Sequence, residues 1–233
     1  MEFLTGLTPE ETLELEELLD ASRIGTEVRV RGAMHTIRDM GELSFVVLRK
    51  RDGLLQCIFE EGTTNYAVKD LREEMAVEIS GVLEEDARAP HGIEIRAREV
   101  KVFGRPYEAP PLPIGKWKLN TSLEAKLNYR STALRNVRER AKFRIQEGIV
   151  RGFRDFLYSQ HFTEIHTPKI GSKGAEGGSN VFKLDYFHRP AVLAQSPQFY
   201  KQMMVGVFER VFETAPVFRA EKHNTKRHLN EYT

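Results

Sequence analysis

A second cysteine is missing from this 233-residue sequence; Cys57 stands alone, so no disulfide can close within the chain. A reducing cytosol is the simplest home for such a composition. Long apolar runs are missing too. Nothing approaches the roughly 20 residues that a membrane span requires, so no membrane is expected as a partner. The opening residues, Met1 to Gly6, lead into an acidic stretch and lack the basic and apolar regions of a secretory signal. Charge of either sign is not in excess: 35 basic residues face 34 acidic ones, a net charge of +1. A strongly basic chain would have implied phosphate contacts, whereas a balanced one must bind nucleic acid, if at all, through a local patch. Internal repeats and low-complexity tracts are absent as well. What remains is 40% apolar and 30% charged residues, which suits a globular protein with one large domain or two modest ones.

The periodicity changes along the chain. Residues 8–20 open with Thr8-Pro9-Glu10-Glu11, a helix start with threonine as N-cap and proline at the first helical position. Leu15, Leu18 and Leu19 then supply the stripe of a short amphipathic helix. From Glu27 to Phe103 the period is two: Val28 and Val30, the run 43–48, the run 54–59, Val77 and Ile79, and Ile93 and Ile95 mark five strands. Residues 63–74 read as a helix between the third and fourth. That element order predicts an all-β OB-fold barrel. Ile93 and Ile95 share one parity while Val100 and Val102 have the other, so a bulge near Arg98-Glu99 is expected to return both pairs to the core. Residues 104–128 are proline-rich at first and read as a linker or hinge, dividing residues 1–103 from 129–233. Beyond it the pattern predicts a long helix over 135–158, an extended stretch halted by Pro168, a glycine-rich loop over 171–178, strands at 181–186 and 191–194, a helix over 197–205, and a strand over 210–220.

Chemistry concentrates in the last third. The loop Gly171 to Ser179 carries one carboxylate, Glu176; alone, such a loop is more often a solvent-exposed turn. In Ala194-Gln195-Ser196-Pro197-Gln198, Ser196 reads as an N-cap and Pro197 as the first helical residue. Gln198 and Lys201 then share one helix face, a cradle for a carboxylate beside a polar group, or plain helix decoration. Phe218-Arg219-Ala220-Glu221 runs into a basic loop, Lys222 to Arg227, followed by His228-Leu229-Asn230-Glu231. An arginine leaving a strand into such a loop suits polyphosphate, because guanidinium offers forked donors to phosphate oxygens; singly, it could be a charged hairpin tip. Together these features offer an ammonium site, a carboxylate site and a phosphate clamp, the combination needed to activate an amino acid with ATP.

The run from Glu164 to Glu231 resembles the aspartyl-tRNA synthetases of the archaeal and eukaryotic type, within class II. Pro168 closes a stretch similar to that class's motif 1, where the dimer interface forms. The segment from Phe218 to Glu231 is similar to motif 2, and the Glu176-Gly177-Gly178 loop and the helix from Gln195 to Gln202 are particular to the aspartate branch. The barrel resembles that family's anticodon-binding domain. The resemblance implies an OB-fold followed by an α+β class II catalytic domain, an antiparallel sheet with helices, working as a cytoplasmic homodimer. It implies L-aspartate, ATP, Mg²⁺ and tRNA(Asp) as ligands. It places Glu176 and Gln198 at the α-amino group and Lys201 at the side-chain carboxylate. Arg219 falls to the α-phosphate as the catalytic residue, Glu221 to the adenine, and Arg227 and His228 to the terminal phosphates. In the barrel, Phe45 falls where an anticodon base is stacked and Gln56 where a base edge is read. Phe45 lies opposite Ser44 and Val46 in parity, which points its ring outward. His35 and Pro90 occupy positions where enzymes restricted to tRNA(Asp) tend to carry Trp and Lys, and this pair is associated with relaxed enzymes that also charge tRNA(Asn). Pro90 also suits a simple turn, Ala89 to Gly92.

Two departures stand out. His161 replaces the glycine that usually ends the long helix, at some conformational cost. Motif 3 and the metal ligands have no counterpart up to residue 233, so a C-terminal truncation, inactive alone and with only residues up to about 104 folding independently, is the expectation. Rival readings are an asparaginyl-tRNA synthetase, which has no need of Lys201 in this role, and a non-catalytic tRNA-binding paralogue, which has no use for Arg219, Glu221, Arg227 and His228.

Overall fold

A computed structural model describes residues 12–104, 108–174, 180–223, 225 and 228–233. The chain divides into two compact units, Met1–Ala141 and Lys142–Thr233. Its elements are α1 (Leu15–Leu18), β1 (Glu27–Asp39), β2 (Leu43–Arg49), β3 (Leu54–Glu60), β4 (Ala76–Glu85), β5 (Ile93–Gly104), α2 (Leu123–Asn128), α3 (Arg130–Ala133), α4 (Val137–Ser159), β6 (Thr163–Glu164), β7 (Ile170–Gly171), β8 (Lys183–Tyr186), β9 (Arg189–Leu193), α5 (Gln198–Phe208), β10 (Val211–Phe212), β11 (Val217–Phe218) and β12 (Glu231–Tyr232).

In the first unit β1 to β5 close into a barrel in the order β1-β2-β3-β5-β4. The inward face holds Val30, Met34, Val46, Leu48, Ile79 and Ile95, each fully buried. The bulge expected near Arg98-Glu99 is present: Ser80 pairs with Glu99 but Gly81 pairs with Ala97, leaving Arg98 as the extra residue. Its carbonyl accepts from Asn65 N at 3.2 Å. A β-carbon on Gly81 would collide with the Arg96 carbonyl, so the crossing beside this bulge requires glycine.

Two expected helices of this unit come out differently. Over 63–74 there is only a 3₁₀ turn, Val68–Asp70. Asn65 clamps Val100, accepting from its amide at 2.7 Å and donating to its carbonyl at 3.4 Å, while Glu74 N donates to Met34 O at 2.8 Å. These tertiary bonds hold both ends of the segment in turns, with Glu74 at φ +69°, and outweigh its helical composition. At the N-terminus, Thr8 to Glu11 lie outside the described residues, and α1 begins only at Leu15. Leu13 N donates to Arg29 O of β1 rather than within a helix; Glu14 takes the N-cap position and Asp52 accepts from Leu15 N at 2.8 Å.

In the second unit α4 ends in a Schellman motif: His161 N donates to Tyr158 O and Phe162 N to Leu157 O, both at 3.0 Å. His161 has φ +62°, the left-handed conformation its position implies, at roughly 1 kcal/mol more than glycine would need. The apolar stripe of α4 is only partly covered: Phe153 packs edge-on against Phe212 with ring centroids 6.0 Å apart, whereas Ile149 and Phe156 stay exposed among the described residues. The strand expected over 210–220 is broken into β10 and β11 around Pro216, which cannot donate to a ladder. β10 pairs with β6 in parallel, β7-β9-β8 form an antiparallel sheet, and β11 pairs with β12 as an antiparallel hairpin.

Candidate functional site

Two groups of sequence-derived residues are assembled, one in each unit. On the barrel, β2 alternates so that Ser44, Val46 and Leu48 are buried while Phe45 and Val47 face the other way. Phe45 lies opposite Arg38 of β1 and Ile58 of β3, and Val47 opposite Gln56. Phe45 and Gln56 therefore share one outer face, the outward position that parity predicts. Gln56 is oriented by a residue that sequence reasoning passed over: its Nε2 donates to Glu94 Oε2 at 2.8 Å. Ile93-Glu94-Ile95 shows that Glu94 points out of the barrel, but only the parallel β3–β5 register, Gln56 against Glu94, reveals its partner. Arg96, next on that face, forks onto Glu84 at 2.9 and 3.0 Å and also bonds Glu60.

His35 is placed differently from a surface reader. It sits in a β1 bulge, where the register with β2 shifts between Met34 and Thr36, and it is 3% exposed. Its Nδ1 lies 3.4 Å from Arg49 Nη1, and Arg49 in turn forks onto Glu74 at 2.6 and 3.0 Å. Burial first, and the Arg49 charge second, push the His35 imidazole down to about 4, so the ring is neutral at physiological pH. Because arginine only donates, Nδ1 faces it as an acceptor and the ring proton belongs on Nε2. Pro90 is exposed at the start of a 3₁₀ turn, Pro90–Gly92, in which His91 has φ +65°; it shapes that turn as its sequence allows.

In the second unit the lead-in to the helix of Gln198 and Lys201 and the strand before Arg219 are set side by side by a backbone ladder. Ala194 N donates to Lys169 O and Phe218 N donates to Ala194 O, each at 2.9 Å. This joins the strand after Pro168, the lead-in to α5, and β11. Arg219 N then donates to Asn230 O at 2.9 Å, and the Arg219 guanidinium carbon lies 5.8 Å from the Tyr232 ring centroid. Glu221 N donates to Arg219 O and to Asn230 Oδ1. The Nδ1 of His228 is 2.6 Å from Thr225 Oγ1. Glu176 and Arg227 lie outside the described residues.

The helix start differs by one residue from the expected cap. Pro197 is the N-cap of α5 and Gln198 its first residue, while the Ser196 hydroxyl is buried and has no partner among the described residues. Gln198 is exposed and Lys201, one turn on, is half-buried. Lys201 has no counter-charge among the described residues. Upstream, Gln195 is 2% exposed and its Nε2 donates to Asn180 O at 3.3 Å.

Glu213 is the other residue not singled out from sequence. Its side chain is 2% exposed and accepts from Thr167 N at 2.6 Å and from Lys169 Nζ at 2.8 Å. Burial works to raise its carboxyl, but the bonds from Lys169 and Thr167 outweigh burial and hold it below the usual carboxylate range. The carboxylate thereby fixes both residues that flank Pro168, and through Lys169 O the ladder to Ala194 and Phe218. Pro168 itself is exposed. Among the described residues no group of three or more His, Cys, Asp or Glu could hold a metal ion, and no helix is long and apolar enough to cross a membrane.

Comparison with known proteins agrees with both halves. Residues 28–103 match the family model of the OB-fold nucleic acid binding domain, and residues 122–233 that of the class II tRNA synthetases (D, K and N). The chain is 46% identical to the aspartate–tRNA(Asp/Asn) ligase of Thermus thermophilus over 91% of its own length and 49% of that protein. It is 47% identical to the ligase of the same name from Deinococcus radiodurans, over 89% of the chain and 46% of that protein. Among solved structures, asparaginyl-tRNA synthetase from Pyrococcus horikoshii complexed with asparaginyl-adenylate superposes with a TM-score of 0.85 at 29% identity, covering 96% of this chain and 51% of that one. The chain spans about half the length of the curated relatives it matches.

Proposed function

The chain belongs to the class II tRNA synthetases, with an OB-fold barrel followed by class II catalytic-domain elements, and from that premise we propose that it activates L-aspartate with ATP and passes the aspartyl group to tRNA(Asp) and tRNA(Asn). The observation that carries this reading is the ladder from Lys169 through Ala194 to Phe218. It joins the lead-in to α5, whose first turn carries Lys201, to β11, which Arg219 follows, and Lys201 has no counter-charge among the described residues. The relatives named for aspartate support it, and Lys201 favours an acid over the amide of an asparaginyl enzyme, because a neutral amide leaves a half-buried ammonium unpaired.

In the proposed reaction an oxygen of the aspartate α-carboxylate attacks the α-phosphorus of ATP. The new C(O)–O–P bond forms as the bond to pyrophosphate breaks. Lys201 pairs with the side-chain carboxylate, and Gln198, with Glu176, takes the ammonium. Arg219 neutralises the α-phosphate as two anions approach, Glu221 lies by the adenine, and Arg227 and His228 hold the terminal phosphates. No side chain becomes covalently attached; positioning and charge neutralisation supply the rate. The terminal ribose hydroxyl of tRNA then attacks the mixed anhydride and displaces AMP. Among the described residues no group of three or more His, Cys, Asp or Glu is assembled that would hold Mg²⁺. A cytoplasmic homodimer meeting near Pro168, with residues 1–103, 104–128 and 129–233 as barrel, hinge and catalytic portion, completes the proposal.

For the barrel, Phe45 stacks on an anticodon base, Gln56 reads a base edge with its amide held by Glu94, and His35 with Pro90 leaves the third anticodon position loosely read. Phe45→Ala is expected to weaken tRNA(Asp) binding by about 1–3 kcal/mol without changing aspartate-dependent pyrophosphate exchange, as filter binding and exchange on the same preparation will show. Charging of purified tRNAs with labelled aspartate tests the pair: comparable charging of tRNA(Asp) and tRNA(Asn) is expected, and charging of tRNA(Asp) alone would overturn the relaxed specificity.

A further inference from the structure

Glu213 stands where two paired strands part. β6 and β10 run in parallel, and amides along the first chain donate in turn to the second: Thr163 N to Arg210 O and Ile165 N to Phe212 O, both at 2.9 Å. Thr167 N is next in that series, but it donates to the Glu213 side chain at 2.6 Å. Beyond this point Ala194 bridges the two chains, donating to Lys169 O and accepting from Phe218 N. Ala194 leads into α5, whose first turn carries Lys201, and Arg219 follows Phe218. One carboxylate thus closes the last rung before the segments that lead to Lys201 and to Arg219.

The carboxylate is held by more bonds than packing asks for. Its Oε1 accepts from Thr167 N, its Oε2 accepts from Lys169 Nζ at 2.8 Å, and Thr167 Oγ1 lies 3.0 and 2.9 Å from the two oxygens. Lys169 Nζ also donates to Thr167 Oγ1 at 2.9 Å. All of these bonds reach the short stretch around Pro168, which has no amide hydrogen of its own. Stability alone does not call for such a group, because apolar residues of similar volume often replace a buried ion pair without loss. What apolar residues do not supply is direction. Three donors aimed at two oxygens fix where Thr167 and Lys169 lie, and with them Lys169 O, the acceptor for Ala194 N.

We propose that Glu213 is a positioning residue for amino-acid activation: with Thr167 and Lys169 it fixes the register in which Ala194 joins the lead-in of α5 to β11, and so the approach of the aspartate α-carboxylate to the α-phosphorus of ATP. The inference rests on the proposed activation of aspartate and deepens it, naming a residue that acts on the reacting geometry and touches neither substrate. Misplacing reacting groups by about 1 Å costs on the order of 100-fold in rate while each ligand keeps its own contacts. The loss therefore belongs in kcat rather than in the KM for aspartate or for ATP.

The test is rapid-quench measurement of the aspartyl-adenylate burst in the full-length protein, with thermal melting followed on the same preparations. Glu213→Gln combined with Lys169→Met removes both charges and leaves an amide oxygen for Thr167 N, so this double variant should melt close to the parent. Its burst should keep full amplitude but rise roughly 10- to 100-fold more slowly, with each KM within about threefold of the parent value. A residue with a merely structural part would instead lower the amplitude, through loss of folded sites, and leave the rate per site unchanged. Thr167→Val keeps the charge pair and removes the hydroxyl that contacts both partners; it should slow the burst severalfold at full amplitude. A parental burst rate in either variant, or a loss confined to amplitude, would overturn the role of Glu213 while the parent's own burst upholds the activity. A parent that forms no adenylate from aspartate would overturn the proposed activity itself, and this inference with it.

Discussion

Alanine at Arg219 is expected to lower aspartate-dependent ATP–pyrophosphate exchange in the full-length protein by on the order of 10²–10³. The side chain leaves β11 exposed, while its backbone is fixed by the bond from Arg219 N to Asn230 O. Truncation thus removes charge and forked donors without opening a buried hole. The loss should fall on kcat more than on the KM for ATP, since the guanidinium matters most when negative charge gathers at the α-phosphate. Arg219→Lys should recover only part of it, because an ammonium keeps the charge but not the planar fork. A loss smaller than tenfold for Arg219→Ala would take this residue out of the chemistry.

Lys201→Met should abolish discrimination between aspartate and asparagine. A carboxylate that loses its desolvated counter-charge is destabilised by about 3–5 kcal/mol, which corresponds to roughly two to four orders of magnitude in the preference for the acid. Methionine keeps the length and apolar stem of lysine, and the bond from Lys201 N to Pro197 O, at 2.9 Å, belongs to the backbone and survives. The variant should melt within a few degrees of the parent. Exchange kinetics with each amino acid will measure the ratio, and an unchanged ratio would show that the side-chain carboxylate is held elsewhere.

The barrel was legible because its strands are buried on one face only, so period-two alternation survives in the sequence, and even the bulge at Arg98 followed from a change of parity. The segment before β4 was not. Arg72-Glu73-Glu74 has helical composition, yet Asn65 is spent on the Val100 backbone and Glu74 on Arg49 and Arg135, and no local pattern announces such long-range bonds. The burial of His35 was hidden for the same reason: its own bulge in β1 leaves no parity mark among Ala33, Met34 and His35. In the catalytic portion the residue types of Lys201 and Arg219 were readable from resemblance to a family. That Glu213, through Thr167 and Lys169, ties their two elements together depends on pairings distant in sequence, which only the folded chain displays. The one-residue shift of the α5 cap from Ser196 to Pro197 lies within the usual uncertainty of helix ends.

The most direct test of the proposed activity is ATP–pyrophosphate exchange by the full-length protein, measured separately with aspartate and with asparagine. Exchange that depends on aspartate and is weaker by at least two orders of magnitude with asparagine is the predicted result. Exchange driven equally or better by asparagine, or by neither amino acid, would contradict it.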